Sequence, residues 1–157
     1  MKKAICLLPN HGSVLFIQES KSKKVQVIFR LKNFDSHSVH AIHIHEYGDI
    51  SDGCKSLGFH YNPYHVTHGS YLFPEKDRHA GDLINNFRTN AIGNFTYEYL
   101  DGLITLYGED SILGRSVVIH EGIDDLGLGT GKLEKESLIS GNAGTRISCG
   151  IIGLQKV

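Results

Sequence analysis

The feature that most constrains this chain is the spacing of its apolar runs, which are short, rich in β-branched residues and separated by too few residues for helices. Ala4–Leu8 is followed by the turn residues Pro9–Asn10–His11–Gly12 and then by Val14–Gln18. After the polar stretch Glu19–Lys24, Val25, Val27, Phe29 and Leu31 alternate with Gln26, Ile28 and Arg30, the pattern of a half-buried strand. Ser38–His45, Phe87–Ile92, Phe95–Leu100, Leu103–Tyr107, Ser116–His120 and Ile147–Leu154 read the same way, and Asp101–Gly102 between two apolar runs predicts a hairpin. About eight short strands without an amphipathic helix predict an all-β antiparallel sandwich or barrel. At 157 residues it is expected to be one domain, 1–157.

Two stretches break the pattern: Glu46–Asn86 and the Gly-rich, charged Gly122–Ala143. Loops that long inside a compact domain are usually functional. Aromatic residues in the first (Phe59, Tyr61, Tyr64, Tyr71, Phe73) predict an ordered loop held by something, and a metal would serve. Most of the ten histidines fall between His37 and His79. In HAIHIHEYGD, His43 and His45 stand two apart on a predicted strand, so both project from one face, roughly 6–7 Å apart at Cα. His40 has the opposite parity. A lone His-x-His pair fits a solvated face as well as a metal site. His60, His65, His68, His79 and Asp82 add candidate ligands from the loop, and His120 ends a strand beside the second loop. Imidazole suits copper and zinc, and a carboxylate in a nitrogen-rich set leans toward zinc.

Composition excludes other classes. A net charge of −1 offers neither nucleic acid nor an anionic membrane a basic surface. No apolar run approaches the ~20 residues of a membrane span, and Ala4–Leu8 is too short for a signal sequence, which predicts a cytoplasmic protein. There, Cys6, Cys54 and Cys149 would by default be free thiols.

Taken together, these motifs resemble the copper/zinc superoxide dismutase family over nearly the whole chain. AIHIHEYGDIS (Ala41–Ser51) resembles its copper-ligand signature and GNAGTRISCGII (Gly141–Ile152) its second signature. GFHYNP, His68–Gly69, RHAGDL, GRSVVIHE and DDLG lie between them. The resemblance implies an eight-stranded antiparallel Greek-key barrel, with copper held by His43, His45, His60 and His120 and zinc by His60, His68, His79 and Asp82. It implies that Asp124 hydrogen-bonds one histidine of each site, that Cys54 and Cys149 form a disulfide, and that Cys6 stays unpaired. The implied reaction converts superoxide to dioxygen and hydrogen peroxide. Arg146 would hold the anion, and the copper-side nitrogen of His60 would carry a proton to the product.

Some implications concern partners. Tyr47–Gly48, Leu113–Gly114 and Ile151–Leu154 match the patch through which family members form homodimers, and the resemblance implies a copper chaperone as a further partner. Neither neighbour of Arg146, Thr145 or Ile147, is proline, which in the family goes with less need of that chaperone. The chain departs from the family pattern at Phe59, where a small residue or proline is usual. It departs again at Ser137–Ile139, uncharged where a lysine is common, and in a longer His68–His79 segment. His11, His37, His40 and His65 match no ligand position and are expected to be structural. The alternative from another class is a non-catalytic homologue that binds copper or its chaperone, which would usually lack a ligand or the arginine.

Overall fold

The computed structural model describes residues 1–74 and 77–156. Eight antiparallel strands form a nearly closed barrel: β1 (Lys2–Leu8), β2 (Gly12–Gln18), β3 (Val25–Leu31), β4 (Val39–His45), β5 (Asn86–Arg88), β6 (Phe95–Asp101), β7 (Ser116–His120) and β8 (Arg146–Gln155). Their order is β5-β4-β7-β8-β1-β2-β3-β6. The β1–β2–β3 meander follows the sequence. The chain then crosses to β4 and later from β6 to β7, as in a Greek key. Where the two edge strands face each other, Phe87 of β5 and Phe95 of β6 bring their rings to 5.3 Å.

Period-two alternation fills the interior. Val14 and Phe16, Val27 and Phe29, Ile42 and Ile44, and Val117 and Ile119 all join one buried cluster. Cys6 is part of that cluster too, with no exposed surface. Among the described residues, no helix is long and apolar enough to cross a membrane.

The structure corrects three local expectations. Leu103–Tyr107 is not a strand and Asp101–Gly102 does not close a hairpin; the segment makes one isolated bridge, Thr105 to Ser111. Its donors are taken by side chains instead. Leu103 N–H goes to the Asp101 carboxylate at 2.8 Å and Leu106 N–H to Gln18 Oε1 at 2.7 Å. Ile104 and Leu106 still reach the core, so the apolar pattern is real and its ladder is not. Second, β5 is only three residues long, because the Asn90 side chain accepts from Ile92 and Asn94 N–H and turns the chain. Third, the second loop contains a short helix, α1 (Glu134–Ser140), ended by Gly141 in the left-handed region.

Candidate metal centre

From Ala41 onward β4 is buried on both faces. Ile42 and Ile44 point into the barrel, and His43 and His45 point outward beneath the two long loops. On the adjacent strand β7, Val118 lies opposite His43 in register. His120 shares that outer face, two residues on. Between Ile119 and His120 the pairing with β8 shifts, so His120 lies opposite Arg146. A bulge of this kind re-aims side chains at a sheet rim. Here it directs His120 and Arg146 to one side.

The first loop returns alongside β4 as an irregular partner. Glu46 N–H bonds Phe59 O at 2.9 Å and Tyr61 N–H bonds Ile44 O at 2.8 Å, which sets His60 opposite His45. Gly81 lies against the same backbone: a Cβ there would stand 2.3 Å from Ile44 O, so only glycine admits the approach. That approach brings His79 and Asp82 under His60.

Four imidazoles, those of His43, His45, His60 and His120, meet with ligand nitrogens within 4.8 Å of one another. Each ring has one nitrogen tied. His43 Nε2 donates to Asp124 at 2.7 Å, and His45 Nδ1 donates to Gly58 O at 2.9 Å. His120 Nδ1 donates to Gly144 O at 3.0 Å, and His60 Nδ1 faces Asp82 Oδ1 at 3.0 Å. The remaining nitrogens, His43 Nδ1, His45 Nε2, His60 Nε2 and His120 Nε2, are buried with no hydrogen-bond partner among the described residues. A buried polar atom left unpaired costs about 1–3 kcal/mol. Four together, all lone-pair donors, fit a metal ion. Burial presses His60 down to about 3 and His120 to about 4, so both rings are in the neutral form that ligates metal.

On the other side of His60, the Nδ1 atoms of His60, His68 and His79 lie 3.0, 2.9 and 3.2 Å from Asp82 Oδ1. The other Asp82 oxygen accepts the backbone N–H groups of His79 and Gly69 at 2.9 and 3.2 Å. This three-nitrogen, one-oxygen set is compact enough for a single ion. His60 offers one nitrogen to each set.

Asp124 ties the two sets together. Its Oδ2 accepts from His43 and its Oδ1 from His68 Nε2, both at 2.7 Å, with Leu126 N–H and Asn85 Nδ2 completing the carboxylate. Burial alone would raise its pKa, but the hydrogen bonds from His43 and His68 hold it well below the carboxylate range. Burial also opposes charge on His68, yet its bonds to Asp124 and Asp82 lift it to about 9. Two carboxylates around one ring thus call for positive charge at this spot. Gly141 belongs to the same junction: its φ is +70° and a Cβ would fall 2.2 Å from Asp124 Oδ1.

Beside three of the four imidazoles opens a cavity of about 310 Å³, bounded by His45, His60, His120, Phe59, Ile139 and Arg146 among others, with His43 buried behind them. Arg146 donates from Nη1 to Cys54 O at 2.7 Å and from Nη2 to Gly58 O at 2.6 Å. Cys54 is bonded to Cys149 of β8, which fastens the loop carrying those carbonyls. A neighbouring cavity also touches His60, but this one is bordered by three of the rings with unpaired nitrogens, His45, His60 and His120.

The other histidines stay apart from the two sets. His40 bonds His120 O and Ser38 Oγ and packs beside Phe34 and Phe87. His11 stacks on Phe34 with ring centroids 4.3 Å apart. His37 and His65 sit at positive φ in turns. Sequence reasoning missed Asn85 and Asn86, which hold Asp124 and the Gly69 carbonyl, and the carbonyls of Gly58 and Gly144. Neither amide carries a sequence signal, and a carbonyl's role never does.

Comparison with known proteins agrees with this geometry. The family model for copper/zinc superoxide dismutase matches residues 10–152. A protein named superoxide dismutase [Cu-Zn] from Cryptococcus neoformans var. grubii is 42% identical over 158 residues, covering 98% of this chain and 99% of its own. Proteins of the same name from Schizosaccharomyces pombe and Podospora anserina are 44% and 43% identical, each over 91% of this chain and 89% of their own. With the family model spanning nearly the whole barrel and both loops, the chain belongs to the copper/zinc superoxide dismutase family.

Proposed function

We propose that the chain converts superoxide to dioxygen and hydrogen peroxide in the cleft over His43, His45, His60 and His120, which hold copper. In this reading His60, His68, His79 and Asp82 hold zinc. The observation that carries it is the group of four buried imidazole nitrogens with no partner among the described residues, three of them on rings that line a cavity Arg146 also borders. Family membership makes superoxide the substrate and copper and zinc the cofactors.

Copper, when bound, supplies the one-electron couple that oxidises one superoxide and reduces the next, while zinc, without redox chemistry, supplies fixed charge. The chain's own groups do the rest. Arg146 attracts the anion and offers it the N–H donors not used by Cys54 and Gly58. His60 Nε2, when not engaged by the metal, would take up a proton from solvent and pass it to the product, with Nδ1 turned toward Asp82. Gly58 O, Gly144 O and Asp124 fix the tautomer and tilt of His45, His120 and His43. The test is metal analysis and a superoxide assay on purified protein reconstituted with copper and zinc. Near-stoichiometric metal without turnover would leave the binding-only homologue as the answer.

The reading extends to a homodimer. Tyr47 and Leu154 are 56% and 67% exposed on one apolar patch. Gly48 is packed against Gly114 O, and Gly114 N–H bonds Ile152 O at 2.9 Å, so three sequence segments form one surface. A patch of this kind suits an isologous contact. Leu154→Arg is expected to yield monomer in sedimentation; monomer already in the parent protein would refute the dimer. A single domain, a cytoplasmic location and copper delivery by a chaperone complete the proposal. Fractionation and the copper content of protein made without the chaperone test the last two.

A further inference from the structure

Superoxide is a two-atom anion, and the cavity over the imidazoles is much larger than it needs. At about 310 Å³, it equals roughly ten times the ~30 Å³ share of one liquid water. Its floor is polar: His45, His60, His120 and Arg146. One wall is not. Phe59 is 69% exposed there, and among the described residues its ring stacks on no other aromatic ring. Ile139 of α1, 39% exposed, faces the same space. The same two side chains also border a neighbouring cavity of about 370 Å³ beside His65 and Leu138. They therefore form an apolar ridge between two openings, where the family more often has a small residue and a lysine nearby.

The charges in the cavity are opposed. Arg146 supplies the cation, and its guanidinium has five N–H donors of which each η nitrogen gives one to a carbonyl. Glu136 stands on the rim, its carboxylate accepting from Ser140 Oγ. The Glu136 carboxylate at the rim disfavours a second negative charge on a ligand that reaches from Arg146 to the mouth.

We propose that this cavity is a binding site for small aromatic monocarboxylates, with the carboxylate toward Arg146 and the ring against Phe59 and Ile139. An acid of this kind satisfies both halves of the cavity at once: charge and hydrogen bonds at the base, and burial of otherwise wet apolar surface at the ridge. Bound there, it occupies the approach to the imidazoles and so competes with superoxide. That competition rests on the dismutase reading; the binding itself does not.

Calorimetry on the copper- and zinc-loaded protein tests it with benzoate, acetate, benzyl alcohol and phthalate. Benzoate is expected to bind about tenfold tighter than acetate, benzyl alcohol too weakly to measure, and phthalate more weakly than benzoate. The Phe59→Ala/Ile139→Ala double variant, at unchanged metal content, is expected to bind both monocarboxylates alike. Equal affinities in the parent protein, or benzyl alcohol matching benzoate, would overturn the proposal without any variant. So would a benzoate preference that survives in the double variant. Because calorimetry needs no turnover, silent titrations with normal dismutation defeat this inference alone. Normal titrations without dismutation defeat only the catalytic reading.

Discussion

Replacing Asp124 with alanine removes the carboxylate that accepts a hydrogen bond from one ring of each metal-ligand set. Its two oxygens are the acceptors for His43 Nε2 and His68 Nε2, and both bonds are 2.7 Å long in a fully buried setting. Without them, one ring of each set keeps its nitrogen lone pair but loses its tether. Each buried N–H left without an acceptor costs about 1–3 kcal/mol, or else the ring rotates to find one and no longer faces the metal. Loss of such an outer partner typically lowers metal affinity about 10–100-fold. A comparable loss is expected for zinc through His68 and for copper through His43.

Competition against a chromophoric chelator measures the zinc affinity, and the Cu(II) electron paramagnetic resonance spectrum reports the copper geometry. Asp124→Asn separates tethering from charge and from loop collapse. Its single carbonyl oxygen can accept from only one of the two rings, while its amide nitrogen can only donate. The expected order of zinc affinity is therefore parent, then Asn, then Ala. An Asn variant equal to the parent would show that two acceptors are not needed. An Ala variant within about twofold of the parent would refute the tether altogether, because the expected loss is at least about tenfold.

Other residues give further checks. Cys6 is fully buried and burial pushes its thiol up to about 12, so it stays protonated; at about pH 8 a thiol reagent is expected to label it only after unfolding. Labelling of native protein at the rate of a free thiol would contradict that. Arg78→Ala removes the cation that the buried Asp101 carboxylate meets at 2.9 Å, leaving it the N–H of Leu103 and the Tyr99 hydroxyl. A loss of about 3–5 kcal/mol is expected, lowering the melting temperature by roughly 6–20 °C in calorimetry of metal-free protein. An unchanged melting temperature refutes the pair's role. Lys135 precedes Ile139 by four residues on α1, which puts both on one face of the helix, and Ile139 lines the cavity. Lys135→Glu is expected to lower kcat/KM chiefly at low ionic strength, since at ~0.15 M salt fields fade over about 8 Å. An equal loss at high salt would argue against steering.

Which of these residues could be found in the sequence depended on whether they sit in regular structure. His43 and His45 were legible because a strand has period two: once Ser38–His45 reads as a strand, parity alone puts both on one face and sends His40 away. The barrel was legible for the same reason. Leu103–Tyr107 deceived because its apolar alternation is real, but Gln18 and Asp101 side chains, distant in sequence or outside any ladder, take its backbone donors. Helix α1 was hidden by its length. Seven residues cannot sustain a helix on their own, and this one is held by His68 N–H on Leu138 O at 2.9 Å and by Ser137 Oγ on Asp125 at 2.6 Å. Nothing local to Glu134–Ser140 encodes those partners. His60, His68, His79 and Asp82 were candidates by residue type, and the grouping came from family resemblance, since an irregular loop has no period to read.

The loops are irregular for a chemical reason that bears on the site itself. Gly58 O accepts from both His45 Nδ1 and Arg146 Nη2, and Gly144 O from His120 Nδ1. In a helix or a sheet ladder those carbonyls would already be engaged with backbone N–H groups. Orienting two imidazoles and a guanidinium with main-chain oxygens therefore requires chain that is ordered but unpaired. Order must then come from elsewhere: the Cys54–Cys149 bond for one loop, Asp124 with Asn85 and Asn86 where the two loops meet, and the close approach of Gly81 to β4. The loss of periodicity in Glu46–Asn86 and Gly122–Ala143 is thus a consequence of what the backbone does there. A change that made either loop more regular would compete with the histidines for their acceptors.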